Sequence, residues 1–446
     1  MGGEVIAGDP SARWRGAALD SRAVQEGELF FALPGERTDG HRFVGDALAR
    51  GAAAAVVARD VSAGDGALIR VDDTLEALHA LTRAVRRRLP ARVVAVTGST
   101  GKTTVKEMLA ALLEGTFRIA RSPGNLNNLY GFPLALLAIP EDTEWMVAEM
   151  GMSSAGELGA IGRLGRPDAV VYTNVRPVHL EFFGSLRAIA EAKGELLESV
   201  PEDGLMIANA DDAEVERLAA RFGGRVVRYG LGPAAEVRAE EIAAAAGGGS
   251  TFRLLTSRGE TAVRLPVHGL YNVENFLAAA ACALALGVSP SEIADRAARL
   301  AAAAMRGELH PLPGGGTLID DSYNSNPAAL ERALESAAEI SGGRRWAVLG
   351  EMLELGPTAP ELHRRSGQVA VGLGFSPIVG VGPLARRLVE GAAAAGGEAR
   401  WTADAADAAE VAAAELQPGD VVLVKGSRGV GLERVVRRLT SSGEEG

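Results

Sequence analysis

Residues 93–104 read VVAVTGSTGKTT, an apolar run that breaks at a glycine-rich turn and resumes as a helix-forming stretch led by Lys102. Such a turn presents backbone N–H groups, and the helix that follows adds the positive end of its dipole, so together they suit a phosphate. Gly98, Ser99, Thr100, Gly101 and Thr104 would line that cradle. Lys102 would reach the β- and γ-phosphates, and the Thr103 hydroxyl would face Mg²⁺. The first glycine of the general G-x-x-x-x-G-K-[ST] pattern would fall at Val96, so the chain carries a compact form of it. The chemistry implied is nucleotide binding. Switches, kinases, transport ATPases and ligases all share it, and the guanine-reading sequence Asn-Lys-x-Asp does not occur.

Lysine usage adds a second signal. Four of the 46 basic residues are lysine: Lys102, Lys106, Lys193 and Lys425. Arginine replaces a solvated lysine at little cost, but not a compact ammonium against phosphate or an amine that must react. Lys102, Lys193 and Lys425 are therefore candidates for chemistry, whereas Lys106 reads as a survivor on an exposed helix face. Glu149 ends the apolar run 145–150, and His179 follows Thr173 and Asn174 in TNVRPVHLEFFGS. The carboxyl edge of a parallel sheet is where α/β folds bind ligands. Glu149 and His179 suit cations beside a triphosphate, although each residue type more often makes an ordinary hydrogen bond.

These residues need a framework. Residues 1–88 carry strand-like pieces at 28–32, 53–57 and 67–71 and helical stretches at 41–50 and 74–88, and Pro90 marks a boundary. From Arg92 strands and helices alternate: strands at 93–97, 145–150, 168–174 and 205–209, helices at 103–113 and 186–199. This is the βαβ pattern of a parallel sheet covered on both faces. Segments 252–256 and 261–267 read as an added hairpin, and 272–286 as an Ala-rich helix stopped by Gly287. Residues 297–313 lead to a second series, with strands at 317–321, 345–349, 377–381 and 420–424 and helices at 327–340, 362–372, 384–394, 405–416 and 432–439. An α/β protein of three domains is expected: 1–88, 90–305 and 306–446.

The bulk properties are consistent with this. The chain of 446 residues is 47% hydrophobic but only 4% aromatic, so its cores are aliphatic. A net charge of −11 argues against a general nucleic-acid binder. The single cysteine, Cys282, excludes an intrachain disulfide framework and reads as a small buried hydrophobe. The opening residues lack a basic start and an apolar run, and the Ala-rich runs elsewhere are too short and interrupted to span a bilayer, so a cytosolic protein without membrane insertion is expected, with a monomer as the default.

The order TGSTGKTT, EMG, TNVRPVHLEFFGS and EAKGELL resembles the central domain of the Mur ligases. The resemblance implies ATP and two Mg²⁺ ions, one held by Thr103 and Glu149, the other by His179 and a carbamylated Lys193. Only a neutral amine forms a carbamate, which accounts for a lysine there. Arg176 stands where a small residue is expected. Segment GLYNVEN, with Asn272 and Asn275, resembles the family's helix start whose asparagines approach ATP; Asn272 also reads as an N-cap. Segment MRGE resembles the hinge whose arginine, here Arg306, helps bind the nucleotide. Lys102, Glu149, His179, Lys193 and Arg306 are the implied catalytic set.

The chain ends narrow the branch. Asp20, Ser21 and Arg22, followed by the GERTDGH loop, resemble the family's UDP-binding domain. The segments DDSYNSNP, GEMLELG with His363, and VKGSR resemble the branch that adds D-alanyl-D-alanine to UDP-N-acetylmuramoyl-tripeptide. There Asp321 would face the nucleotide, and Asn324, Asn326, Lys425, Ser427 and Arg428 the peptide substrates. The C-terminal domain implied is Rossmann-like. Another amino-acid-adding Mur ligase, a P-loop switch and a non-catalytic scaffold are the competing readings.

Overall fold

The computed structural model describes residues 2–9, 11, 13–35, 38–62, 66–177, 183–245 and 248–441. Its strands form three sheets. The first runs in the order Glu4–Ala7, Leu68–Arg70, Ala54–Val57, Leu29–Phe31, Ala17–Ala18, parallel except at Glu4–Ala7. Helix Thr74–Arg86 begins at Asp73, whose carboxylate accepts from the N–H groups of Leu75 and Glu76. Its apolar face shares a core with Leu134 and Leu137, which belong to the next unit. His79 Nε2 bonds Leu129 O at 2.8 Å across the same seam.

The central sheet has nine strands. Their order is Gly259–Leu265, Ser250–Thr256, Val237–Ala244, Arg225–Gly230, Leu205–Asn209, Ala169–Tyr172, Arg92–Thr97, Trp145–Glu149, Ile119–Arg121. The first two join by antiparallel pairing; the other seven are mutually parallel. Strand Arg92–Thr97 shows why the sheet is covered on both sides. Val94 and Val96 enter one core and Val93 and Ala95 the other, so alternation along the strand feeds both faces. Helices Lys102–Leu113 and Leu270–Ala285 cover the first face. Alanines 278–281 are fully buried there, and Phe276 meets Phe252 edge-on with ring centroids 5.6 Å apart. Chain order places Trp145–Glu149 and Ala169–Tyr172 on opposite sides of Arg92–Thr97, which makes its carboxyl end a switch point where ligands bind.

The third sheet runs Glu308–Pro311, Thr317–Asp321, Val421–Lys425, Arg345–Gly350, Phe375–Val381, Ala399–Thr402, with only the first strand antiparallel. Its helix Pro327–Ala338 faces the central unit. Arg332 pairs with Glu274, and His268 Nε2 donates to Ser336 O at 2.7 Å.

Several elements differ from expectation for identifiable reasons. Strand Glu308–Pro311 reads ELHP at a sheet edge, too short and polar to show a strand period. The strand at 237–244 (VRAEEIAA) has a half-exposed face. The stretch 186–199 is α-helical only to Gly194 and tightens to a 3-10 turn over Glu195–Ser199. The N-cap of Leu270–Ala285 is Gly269, not Asn272, which lies within the first turn. Lys106 does not sit on an exposed face: it is fully buried.

Phe276→Ala should cost about 3–5 kcal/mol, seen as a lower denaturant midpoint for the central-sheet transition, because the cavity would open between two fully packed layers.

Candidate active site

Gly98 and Gly101 adopt φ of 143° and 81°, a region that side chains disfavour. Space excludes a side chain as well. A Cβ at Gly98 would lie 1.9 Å from Thr173 Oγ1, and one at Gly101 2.3 Å from Asn275 Oδ1. The turn is braced from the neighbouring strand end. Asn174 O accepts from Ser99 N at 2.9 Å, Asn174 Oδ1 accepts from Thr100 N at 3.1 Å, and Thr173 Oγ1 donates to Thr100 O at 2.6 Å. Helix Lys102–Leu113 starts at Gly101 without a side-chain cap, so its first N–H groups remain available to an anion. Lys102 Nζ donates to Gly98 O at 3.0 Å. Burial pushes its pKa down; Glu149 opposes that shift and Arg306 adds to it.

Glu149 is 2% exposed, yet both oxygens are engaged. Oε2 accepts from Thr103 Oγ1 at 2.6 Å and Oε1 from Asn127 Nδ2 at 2.7 Å. Thr103 and Glu149, drawn from different elements, thus present hard oxygen donors side by side, the donor chemistry Mg²⁺ prefers. Lys193 is also buried, and burial first, then the Lys102 charge, pushes its pKa well down. Its backbone carbonyl accepts from Tyr172 Oη at 2.7 Å, which fixes this turn of helix against the sheet. His179 lies outside the described residues. Arg176 places its backbone against Ser99 Oγ and its guanidinium 3.9 Å from Asp212.

The opposite wall comes from the third sheet. Asp321 and Lys425 sit at the carboxyl ends of paired strands, and Lys425 Nζ donates to Asp321 Oδ2 at 2.6 Å and to Asn324 O at 3.0 Å. Burial raises the Asp321 pKa, against the pull of Lys425 and Arg306. The Arg306 guanidinium lies 4.1 Å from the Tyr323 ring centroid, with Arg428 at 5.9 Å. Such cation–π packing holds a charge in place without neutralising it. Between the walls is a cavity of about 380 Å³, within the range of small-ligand sites. Residues 99–104, Glu149, Asn275 and Arg306 line it together with Asp321, Asn324, Asn326, Lys425 and Arg428.

Other anticipated residues lie elsewhere or have other partners. Asn272 and Ser427 do not line the cavity. Asn272 Nδ2 donates to His268 O, and its Oδ1 accepts from Asn275, so it orients the asparagine that does. Ser427 Oγ accepts from Leu353 N. Asn326 also caps helix Pro327–Ala338 through Ala329 N. Asp20 and Arg22 form an exposed chelate away from the cavity, which holds the Asp20 carboxyl down at about 2, while Ser21 is buried. In the adjacent loop His41 Nδ1 donates to Asp39, and Nε2 accepts from Ala58 N. Asn127 was not singled out in the sequence. The asparagine-rich run NLNNLYG was its signal, since Asn125, Asn127 and Asn128 all line the cavity.

A glycine cradle at the switch point of a parallel sheet, facing a second α/β unit that supplies cations, defines a multidomain P-loop enzyme that acts on a nucleotide and a second anion. Comparison with known proteins agrees. Residues 15–86 match the Mur ligase family catalytic domain, 96–283 the Mur ligase middle domain and 305–428 the Mur ligase glutamate ligase domain. The UDP-N-acetylmuramoyl-tripeptide–D-alanyl-D-alanine ligase of Bacillus subtilis (strain 168) is 35% identical over 96% of this chain and 93% of its own. A crystal structure of MurF from Acinetobacter baumannii superposes with a TM-score of 0.85 at 31% identity, covering 96% of this chain and 93% of that one. MurF ligase from Thermotoga maritima, in complex with ADP, superposes at 0.82 with 27% identity, covering 96% and 97%. The chain belongs to the Mur ligase family.

His363 is fully buried; Nε2 accepts from Met352 N at 2.8 Å and Nδ1 donates to Ala359 O at 2.7 Å. Burial lowers its pKa, so the folded state keeps the ring neutral while the unfolded chain protonates near about 6.5. The unfolded state then binds more protons below that value, and stability present above it is lost as pH falls toward the folded pKa. The thermal midpoint should drop as pH falls through and below about 6.5. His363→Ala should cost about 1–3 kcal/mol at neutral pH and flatten that dependence.

Proposed function

We propose that the chain is an ATP-dependent carboxylate–amine ligase that joins D-alanyl-D-alanine to UDP-N-acetylmuramoyl-tripeptide, giving UDP-N-acetylmuramoyl-pentapeptide, ADP and phosphate. The observation that carries this reading is the cavity in which the phosphate cradle of the central sheet faces the cations of the third sheet. The named activity of the Bacillus subtilis relative supports the choice of substrates.

A carboxylate does not form an amide at neutral pH, because oxide is a poor leaving group. Transfer of the γ-phosphoryl group of ATP to the tripeptide carboxylate gives an acyl-phosphate. The free dipeptide amine attacks its carbonyl carbon, and the tetrahedral intermediate collapses as the C–O bond breaks, phosphate departing with the electron pair and the nitrogen's proton passing to that phosphate or to water. Two anions must first approach, so positioning and charge neutralisation dominate. The cradle N–H groups and Lys102 hold the triphosphate. Asn275 meets the cradle at Gly101. Arg306, steadied by Tyr323, and Lys425 face the carboxylate that is activated. Arg428, Asn324 and Asn326 line the peptide side. Thr103 and Glu149 would hold one Mg²⁺, and His179 with carbamylated Lys193 the other; such ions would supply further charge neutralisation. Burial lowers the Lys193 pKa, which raises the share of neutral amine and favours the reaction with CO₂. Asp20, Ser21 and Arg22 would take the uridine end, leaving the tripeptide to reach the cavity.

The sheets suggest domains at 1–88, 90–305 and 306–446, with the third closing on the second about Arg306. No helix among the described residues is long and apolar enough to cross a membrane. A cytoplasmic monomer fits a nucleotide-linked soluble substrate.

Phosphate release should require UDP-N-acetylmuramoyl-tripeptide and D-alanyl-D-alanine together. Lys193→Ala should collapse it, with partial recovery on adding short carboxylates that replace the carbamate. Release indifferent to both peptides would favour a nucleotide switch instead.

A further inference from the structure

Lys106 was set aside in the sequence as a surface residue, but its environment is that of a strut. It is fully buried, one helical turn beyond Lys102 and Thr103. A buried ammonium must satisfy three donors. Lys106 Nζ has three acceptors: Ser122 O at 2.6 Å, Gly124 O at 3.1 Å and Glu107 Oε1 at 3.0 Å. Glu107 is held in turn by Arg121, 2.9 Å away. The acceptors converge on one nitrogen, a geometry that suits a tetrahedral ammonium and not a planar guanidinium. In a chain so depleted of lysine, this accounts for its retention.

The carbonyls that Lys106 grips begin the loop running from Ser122 to Asn128. That loop carries two groups that hold Glu149. Ser122 Oγ accepts from Glu149 N at 3.0 Å, and Asn127 Nδ2 donates to Glu149 Oε1 at 2.7 Å. Asn127 O also accepts from Gly151 N at 2.8 Å. The other carboxylate oxygen is held by Thr103, on the same helix as Lys106. One helix therefore fixes both sides of the carboxylate, directly through Thr103 and through the loop by Lys106.

We propose that Lys106 is a positioning residue that sets the Glu149 carboxylate for cation binding by clamping the Ser122–Asn128 loop to the cradle helix. This rests on the reading of Glu149 as a Mg²⁺ ligand. Partners that orient ligand groups without touching the metal typically matter by about 10–100-fold in affinity or activity. Loss of the clamp should thus appear as a changed metal dependence and a loosened loop in the protein before any ligand binds.

The experiment compares Lys106→Met, Lys106→Arg, Ser122→Ala and Glu149→Gln by amide hydrogen exchange of the ligand-free protein and by the Mg²⁺ dependence of phosphate release. Lys106→Met should speed exchange at Ser122–Asn128 and Gly151, with the rest of the central sheet unchanged. It should also raise the Mg²⁺ concentration for half-maximal rate about 10-fold. Lys106→Arg should not restore either readout, and Ser122→Ala should move the Mg²⁺ dependence in the same direction with the clamp intact. Should Lys106→Met fail to fold, Lys106→Arg is read in its place by the same two measurements, and native-like exchange and Mg²⁺ dependence there would overturn the proposal. Unchanged half-saturation in the folded variants, or full rescue by arginine, would overturn the proposal while Glu149→Gln still abolishes turnover. Full activity in Glu149→Gln would overturn the metal reading itself, and this inference with it.

Discussion

The structure is organised around a buried carboxylate that cannot remain unpaired. Glu149 closes the strand next to the cradle strand and has almost no contact with solvent. A charge in that position must be hydrogen-bonded or bound to a cation. The hydroxyl of Thr103 and the amide of Asn127 meet that need, one from each side. The same pairings fix the first turn of the cradle helix against the sheet edge and bring the asparagine-rich loop to the mouth of the cavity. Structural necessity and ligand chemistry coincide here, because the carboxylate and both groups that stabilise it line the same cavity.

Positive charge is distributed over the two larger units rather than concentrated in one. Lys102 belongs to the central sheet's cradle, Arg306 to the joining segment, and Lys425 and Arg428 to the last strand of the third sheet and the turn after it. Each is restrained by a specific partner: loop carbonyls for Lys102, the Tyr323 ring for Arg306, and a buried carboxyl for Lys425. An assembly of this kind can accept two anionic substrates only when both units are in register. The pairs Arg332 with Glu274 and His268 with Ser336 give that register a physical basis.

Several residues in the segments that resemble the family serve the backbone. His363 and Ser427 tie down the segment after strand Arg345–Gly350 by accepting from Met352 N and Leu353 N. His41 does the same for Ala58 N beneath the loop of Asp39. Such groups accept from buried N–H donors that would otherwise go unpaired, a cost comparable to that of a lost hydrogen bond. They shape loops whose other members face the ligand.

The sequence by itself determined the cradle, the alternating strands and helices, and the rarity of lysine, because a glycine-lysine-threonine turn between an apolar strand and a helix is a local pattern. It also carried enough distributed resemblance to indicate the family. It could not determine which distant side chains would meet. Asn127 and Glu149, or Asp321 and Lys425, become neighbours only through parallel strand pairing, which no local period records. Short polar edge strands such as Glu308–Pro311 were illegible for the same reason: their pairing is supplied by the sheet and not by their own composition. Lys106 was misread as exposed because helical spacing shows which face a residue occupies but not what packs against it. Only tertiary structure brings the Ser122 and Gly124 carbonyls to that face and turns a surface-seeming lysine into a buried one.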